Sequence, residues 1–369
     1  MRKILLAATL CIVLQNANAQ LDLPPSGGNP KASITEEVGI TSITIKYSRP
    51  DVNKREGKIW GDGNVVTYGF TTQNFITNNN TSPWRAGANE NTTITFEHDV
   101  KVEGQPIKAG TYGLFMAMGA DNITVIFSNQ SDAWGSFYYD EKYDALRVNV
   151  KPATLDKSVE WLKYEFTEQK EKSCTVAMQW EKLSVPFKID VDVDNIVLAR
   201  IREELTSRKG FTPAIILTAT QYCFNKNINL DEALQWSIRA VNGVGGQKTY
   251  ITLRNLATAY EKLNRIPEAD STMNDALLIA TANQYAAYGR QLIAQKRTDK
   301  ALEVFKVNQK RYGDIFGVNN GLMFGYAAKA DFTNAIKAAE KALGQAPNDA
   351  AKKTLDAQIA KLKEGKDIN

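Results

Sequence analysis

The first half of the chain alternates between apolar and polar residues with a period of two. Residues 42–47 and 123–127 show the alternation most clearly, and residues 146–150 repeat it. Glycine- and asparagine-containing stretches separate these runs and indicate turns. Short alternating strands with frequent turns predict an antiparallel β-sandwich or jelly-roll-like domain over residues 33–194.

The second half follows a helical repeat instead. The small residues Ala233, Ala269, Ala301 and Ala335 recur at spacings of 36, 32 and 34 residues. The larger Tyr260, Leu292 and Tyr326 each precede one of the last three by nine residues. This pattern resembles tetratricopeptide repeats, whose period is about 34 residues. It predicts a linking helix at 195–211, then α-helical tetratricopeptide-like hairpins over 212–369 that end in a capping helix.

The N-terminus has the features of an export signal. Arg2 and Lys3 precede an apolar run at residues 4–14, and Ala17-Asn18-Ala19 fits a cleavage site. We expect a signal peptide at 1–19 and a flexible segment at 20–32, with the protein in the periplasm of a Gram-negative bacterium or outside the cell. Since no other stretch has the ~18 apolar residues of a membrane helix, no membrane span is expected.

The amino-acid composition indicates which partners and which disulfides the protein can form. The chain has 45 basic and 41 acidic residues, a net charge of +4, and no clustered basic face that would predict nucleic-acid binding. The 350 residues expected to remain after cleavage of the first 19 suggest two domains. Cys174 and Cys223 fall in different predicted domains, so one interdomain disulfide or two buried thiols are the alternatives, and the thiols are favoured.

A set of ordered blocks in the β region resembles a known family. The blocks are Tyr47-Ser48-Arg49-Pro50, Ile59-Trp60-Gly61, Trp84 to Glu90, Lys108 to Tyr112, Trp134-Gly135 and Leu146-Arg147-Val148. Over about residues 33–180 they resemble the exported bacterial family called domain of unknown function 2911. The resemblance implies a fold and export, and it implies no activity.

The block from Trp84 to Glu90 brings polar groups to the entrance of a strand. A guanidinium held among strands needs a carboxylate partner, because an unpaired buried charge is costly, and Glu90, Asp140 and Asp144 are candidates. One interpretation is a structural network that holds the sandwich together. The other is a ligand pocket, whose candidate residues are Trp84, Arg85, Asn89, Glu90 and Arg147.

Aromatic residues are dense between the predicted strands before residue 146. They are Trp134, Phe137, Tyr138, Tyr139 and Tyr143. Flat rings can stack on sugars, but aromatic side chains more often fill a core, where each buries ~150–250 Å². We therefore expect these rings to fill the core or an edge of the sandwich rather than to form a carbohydrate platform.

Several kinds of chemistry lack a sequence signature. His98 is the only histidine, which argues against a histidine triad or a multi-histidine metal site. No P-loop, dinucleotide-binding motif or nucleophile elbow is present, so neither cofactor nor metal is expected. Two carboxylates can hydrolyse a glycoside, but spacing does not choose a pair among 41 acidic residues.

These observations favour an exported binding or assembly protein over an enzyme. The helical repeats would bind a protein or peptide partner, and the β domain would bind a ligand or envelope component. The alternatives are a hydrolase that acts on envelope glycans through β-domain carboxylates, and a purely structural scaffold.

Overall fold

The computed structural model describes residues 28–72 and 81–369. The predicted signal peptide, its cleavage site and most of the segment at 20–32 lie outside these residues. The chain divides into two compact units, Met1–Ala199 and Arg200–Asn369. In the described residues the first unit is built mainly from strands and the second from helices.

The strands of the first unit are short until the last two. They are β1 (Lys31–Val38), β2 (Thr41–Ser48), β3 (Thr71–Thr72), β4 (Thr81–Ser82), β5 (Thr93–Phe96), β6 (Val100–Val102), β7 (Gln105–Ile107), β8 (Gly110–Ala117), β9 (Ile123–Ser128), β10 (Asp144–Val150), β11 (Ala153–Lys170) and β12 (Ser173–Val191). Two 3-10 turns, Gly135–Tyr138 and Glu141–Tyr143, lie between β9 and β10. The first strand thus begins at Lys31, inside the segment predicted to be flexible.

Antiparallel pairing joins these strands into two main sheets. One sheet has the order β1-β2-β5-β8-β9-β10, the other has the order β11-β12-β6-β7, and β3 pairs with β4 alone. The period-two pattern sets the faces of the first sheet. Ile43 and Ile45 are fully buried, whereas Lys46 between Ile45 and Tyr47 is exposed.

Both sheets contribute to one hydrophobic core. Phe127 of the six-stranded sheet packs edge-on against Phe187 of the other, with ring centroids 5.9 Å apart. The same cluster includes Ile94 and Trp180, one from each sheet, both almost completely buried. The predicted antiparallel sandwich is therefore confirmed.

The helices of the structure follow the last strand. They are α1 (Val193–Thr206), α2 (Pro213–Lys226), α3 (Leu230–Asn242), α4 (Tyr250–Lys262), α5 (Ile266–Leu278), α6 (Ala282–Ala294), α7 (Thr298–Tyr312), α8 (Phe316–Ala327), α9 (Phe332–Gly344) and α10 (Asp349–Lys363). The first of these begins at Val193, two residues before the predicted linking helix. Asp194 lies in its first turn, where a carboxylate is favourable at the positive end of the helix dipole.

Helices α2 to α9 form four helix–turn–helix hairpins, and α10 follows the last one. The four alanines that mark the repeat, Ala233, Ala269, Ala301 and Ala335, are completely buried on the second helices of the hairpins. Threonine caps start two of the first helices: the hydroxyl oxygens of Thr249 and Thr281 accept from the backbone N–H three residues on. The predicted tetratricopeptide-like array is confirmed.

The packing of the third and fourth hairpins depends on one phenylalanine and three glycines. Phe305 of α7 is completely buried. Its ring lies against Gly289 of α6 and against Gly321 and Gly325 of α8, at positions where a Cβ atom would clash with it. These glycines let the first helices of neighbouring hairpins approach the ring.

The two cysteines of the described residues are free and buried. Burial raises the pKa of the Cys174 thiol to about 11, and it also raises the pKa of Cys223. A thiol that stays protonated at neutral pH is a weak nucleophile. The favoured alternative of two buried thiols is the arrangement found.

Candidate functional site

The block from Trp84 to Glu90 forms an irregular turn that leads into β5. Ala86 and Asn89 have positive φ values of 51° and 59°. The carbonyl of Ala86 accepts hydrogen bonds from the Tyr164 hydroxyl (2.7 Å) and the Thr92 hydroxyl (3.1 Å), both buried. These bonds hold a backbone conformation that non-glycine residues rarely adopt.

Trp84 belongs to a cluster of three tryptophans. Its ring centroid lies 5.6 Å from that of Trp60 and 6.1 Å from that of Trp180. Its indole Nε1–H donates to the carbonyl of Gly87 at 3.1 Å. Trp84 therefore packs on the sandwich core and stabilises the turn, and its polar atom is already bonded within the chain.

Arg85 lies beneath the loop that connects β9 and β10. Its Nη1 donates to the backbone carbonyl of Asn89 at 2.7 Å, and its guanidinium lies 4.9 Å from the centre of the Phe137 ring. Gly135, with φ +60°, leaves room for it, because a Cβ there would come within 2.5 Å of the Arg85 Cζ. Burial lowers the pKa of Arg85. The Arg85 guanidinium thus contacts a backbone carbonyl and an aromatic ring, where the sequence predicted a carboxylate partner.

Arg147 bonds to a carboxylate on its own strand. Its Nε donates to Asp144 Oδ2 at 2.6 Å, and its Nη2 donates to the Tyr139 hydroxyl at 2.9 Å. The Tyr139 hydroxyl in turn donates to Asp144 Oδ2 at 2.7 Å. Asp144, proposed as one of three partners from the sequence, is the principal partner of Arg147.

The Asp144 side chain is only 7% exposed, and its Oδ1 atom has no hydrogen-bond partner in the described structure. Burial raises the pKa of this carboxyl despite the bonds from Tyr139 and Arg147, which act in the opposite direction. Burial and the neighbouring carboxylate also raise the pKa of Tyr139. Tyr139 and the Asp144 carboxyl are buried in this triad, whereas the Arg147 side chain is 37% exposed and covers them from the solvent side.

Glu90 lies apart from that triad. Its carboxylate pairs with Lys31 at 2.7 Å and accepts from the Ser48 hydroxyl at 3.3 Å. The bond from Lys31 is the main reason that the pKa of Glu90 is lowered. Glu90 lines a groove of about 610 Å³ on the outer face of the six-stranded sheet.

The five predicted pocket residues thus occupy three neighbourhoods. Arg85 and Asn89 share a hydrogen bond, and the Asn89 side chain also accepts from Asn29 at 3.3 Å. Glu90 follows them in the turn and reaches the groove. Trp84 joins the tryptophan cluster, and Arg147 joins the triad with Tyr139 and Asp144. Whether any of them binds a ligand remains a prediction.

Three of the five rings in the aromatic stretch lie at the surface and not in the core, so only the edge part of the expectation can describe them. Trp134, Tyr138 and Tyr143 are 53%, 61% and 41% exposed, whereas Tyr139 is 6% exposed and packs on Phe115. The cause is the pair of 3-10 turns: their tight path turns neighbouring side chains in different directions, so only part of the segment faces the sheet.

A second groove lies within the helical unit. It has a volume of about 560 Å³ and is formed by the first helices of three hairpins, α2, α4 and α6. Its lining residues are Leu217, Gln221, Phe224, Tyr250, Ile251, Arg254, Asn255, Thr258 and Gln291. The sequence predicted binding by the repeats but named none of these residues. On α4 the lining residues include positions 251, 254, 255 and 258, which lie on one face of the helix. A search of the first helices for exposed residues at this spacing would have found that face.

Two classes of site are absent from the described residues. No group of three or more histidine, cysteine, aspartate or glutamate residues within 28–72 and 81–369 is placed to hold a metal ion. Over the same residues, no helix combines the length and apolar character needed to cross a bilayer.

Comparisons with known proteins identify the first unit. Residues 29–189 match the model of the family described as "Protein of unknown function (DUF2911)". No curated protein matches the chain.

Solved structures match less than half of this chain, at low similarity. The Cut9–Hcn1 hetero-tetramer of APC/C is 17% identical with a TM-score of 0.31; the match covers 46% of this chain and 33% of that one. A MamA mutant is 15% identical with a TM-score of 0.26, over 42% of this chain and 86% of that one. A second MamA structure, AMB-1, is 15% identical with a TM-score of 0.27, over 42% and 85%.

This chain therefore spans only about a third of the Cut9–Hcn1 chain that it matches. At these TM-scores the likeness carries no argument about function. The helices form hairpins at the spacing of tetratricopeptide repeats. Taken together, the chain fits a DUF2911 domain over residues 29–189 that is followed by tetratricopeptide-like helices.

Proposed function

We propose that this is an exported binding protein whose helical repeats hold an extended segment of a polypeptide partner. The groove formed by α2, α4 and α6 supports this proposal. Arrays of helical hairpins expose such concave surfaces, and they commonly bind peptides or proteins there. In this proposal the protein acts in the periplasm, and its β domain binds a component of the envelope.

The lining of the groove suits an extended chain. Ile251 is 61% exposed within it, and Tyr250 and Phe224 form an apolar floor. Gln221, Thr258 and Gln291 add hydrogen-bonding groups at its surface. An extended polypeptide offers both apolar side chains and unpaired backbone N–H and C=O groups, so it can use both kinds of contact.

Charge indicates what kind of segment binds. Among the described residues that line the groove, Arg254 alone is charged. It is exposed, and its Nη2 reaches the side-chain oxygen of Gln291 at 3.3 Å. A guanidinium in that position favours a carboxylate, from an acidic side chain or a chain terminus.

Site-specific cross-linking tests this proposal. A photo-reactive amino acid at position 251 should capture a polypeptide in cells, whereas the same amino acid at Val244, which is 80% exposed outside the groove, should not. Once the captured segment is identified, Arg254→Gln should weaken its binding by about tenfold, or ~1.4 kcal/mol. Equal capture at positions 251 and 244, or unchanged affinity in Arg254→Gln, would contradict polypeptide binding in this groove and favour a purely structural role for the array.

In the outer groove of the β domain, binding is a better proposal than hydrolysis. A glycosidase needs a carboxylic acid whose pKa is raised so that it can donate a proton. Glu90, which lines the outer groove, has a lowered pKa because Lys31 bonds to its charged form. It is therefore an ionised acceptor at neutral pH.

A further inference from the structure

The outer face of the six-stranded sheet carries a groove, called here the Trp134 groove, of about 610 Å³. The lining residues that matter here are Lys31, Lys46, Glu90, Asn91, Thr93 and Trp134. It lies in the first unit and is built separately from the polypeptide groove of the helices.

The floor of the groove is the polar face of three strands. Ser33 of β1 is paired with Lys46 of β2, and Lys46 is paired with Thr93 of β5. Because residues at paired positions point to the same side of a sheet, these three side chains form one row. The row presents hydroxyl and amine groups on the outer side of the sheet.

Trp134 forms a wall of the groove from a loop that is firmly held. Its side chain is 53% exposed. The next residues are fixed: Gly135 lies on the Arg85 guanidinium, and the buried Ser136 hydroxyl donates to the carbonyl of Pro83 at 2.6 Å. The structure thus keeps a large aromatic ring in contact with water beside a polar floor, a combination that suits a ligand with one apolar and one polar face.

Asn91 adds a hydrogen-bonding group that is not satisfied within the chain. It is 8% exposed, and its Nδ2 donates to the carbonyl of Gln130 at 3.2 Å. Its Oδ1 atom is buried with no partner among the described residues. Buried acceptors without a donor are rare. Because this oxygen is closed to solvent in the present conformation, a ligand hydroxyl would reach it only after the Asn91 side chain turns towards the groove.

The charges of the groove balance. Lys31 is paired with Glu90, and the other two charged lining residues, Lys46 and Asp132, have opposite signs. A surface with no excess charge has no preference for an anion or a cation as a whole. The ligand is therefore expected to be neutral.

We propose that the Trp134 groove binds a neutral oligosaccharide, with a pyranose ring stacked on Trp134 and its hydroxyls bonded to the polar floor and to Asn91. Sugars have the required form, since a pyranose has an apolar face of C–H groups and a rim of hydroxyl donors and acceptors. The inference rests on the part of the proposed function that gives the β domain an envelope ligand, and it names the class of that ligand.

Saccharide titrations of the full mature protein test the inference. The probes are neutral hexose and N-acetylhexosamine oligosaccharides, followed by tryptophan fluorescence and calorimetry. At least one should bind saturably. Trp134→Ala should weaken that binding by about tenfold or more, and Trp134→Tyr, which keeps a flat ring, should retain most of it.

Matched controls separate a binding defect from a folding defect. Trp161→Ala removes another partly exposed tryptophan of the β domain, 37% exposed and outside the groove, and should leave the affinity unchanged. Ile251→Asp in the helical groove should abolish polypeptide capture and leave saccharide binding intact. Absence of binding to every probe, or equal affinity of Trp134→Ala and the wild type, would overturn the inference while leaving polypeptide capture unaffected.

Discussion

Gly321 of α8 offers a direct test of how the last hairpins pack. Its replacement by alanine adds one methyl group that would lie 2.8 Å from the Phe305 ring. Phe305 is completely buried and is also enclosed by Gly325, where an added Cβ would lie 2.6 Å from the ring. Gly289 of α6 also lies against the ring, where an added Cβ would be 2.4 Å from it, so a ring that moves away from α8 approaches α6.

Two opposing effects set the size of the change. Alanine in place of glycine inside a helix stabilises it by up to ~1 kcal/mol. Overpacking a closed core costs ~1–3 kcal/mol. The second effect is larger, so Gly321→Ala should lower the free energy of unfolding of the helical unit by about 1 kcal/mol.

Gly317 provides a matched control in the same helix. The nearest atom to a Cβ added there is Asn283 Oδ1 at 3.4 Å, which is ordinary contact, so Gly317→Ala should be neutral or stabilising. Urea unfolding followed by helical circular dichroism compares the two variants. Phe305→Leu, which removes ring atoms, should abolish the penalty of Gly321→Ala in a double-mutant cycle. Equal stabilisation by both glycine replacements would refute this account of the packing.

Three further predictions concern the first unit and export. In urea unfolding, Arg147→Ala should lower the free energy of unfolding by ~2–4 kcal/mol, because it leaves the buried Asp144 carboxylate without its cation. Glu90→Ala should lower it by less than ~1 kcal/mol, because the pair with Lys31 is exposed. Equal losses in the two variants would contradict this order. Burial raises the pKa of Asp144, so its charged form is disfavoured in the folded state. The stability of the wild type relative to Asp144→Asn should therefore increase as pH falls from the folded-state pKa to the ordinary aspartate pKa of about 3.9, and it should level off below that. The opposite trend in unfolding free energies would show that the bonds from Arg147 dominate. Mass spectrometry of the native protein should find chains that begin at Gln20, and chains that retain Met1 would contradict cleavage after Ala19.

Much of the architecture could be predicted because it depends on local periodicity. The alternation at residues 42–47 places Ile43 and Ile45 in the core, and the spacing of Ala269 and Ala301 gives the phase of the hairpins. Both patterns repeat over several elements, so an error at one position does not change the fold. Boundaries were less exact, as the starts of β1 at Lys31 and α1 at Val193 show.

The candidate site was harder to predict because it depends on contacts between distant segments. The blocks at Trp84–Glu90 and Trp134–Gly135 were recognised separately, but the sequence does not show that Arg85 lies under Gly135. Glu90 and Lys31 are 59 positions apart in the sequence, and no pattern in either segment predicts that they form a pair. The exposure of Trp134 depends on how the 3-10 turns direct their side chains.

The sequence by itself determined the two kinds of unit. The period of two and the repeat of about 34 residues can be read along the chain without knowledge of any tertiary contact. It also supplied the residues of the Trp134–Gly135 and Trp84–Glu90 blocks. Only the tertiary structure decided which charges are paired, which rings face water and which first helices line a groove. Those outcomes depend on the register of β1, β2 and β5 and on the stacking of α2, α4 and α6, where residues far apart in the chain become neighbours.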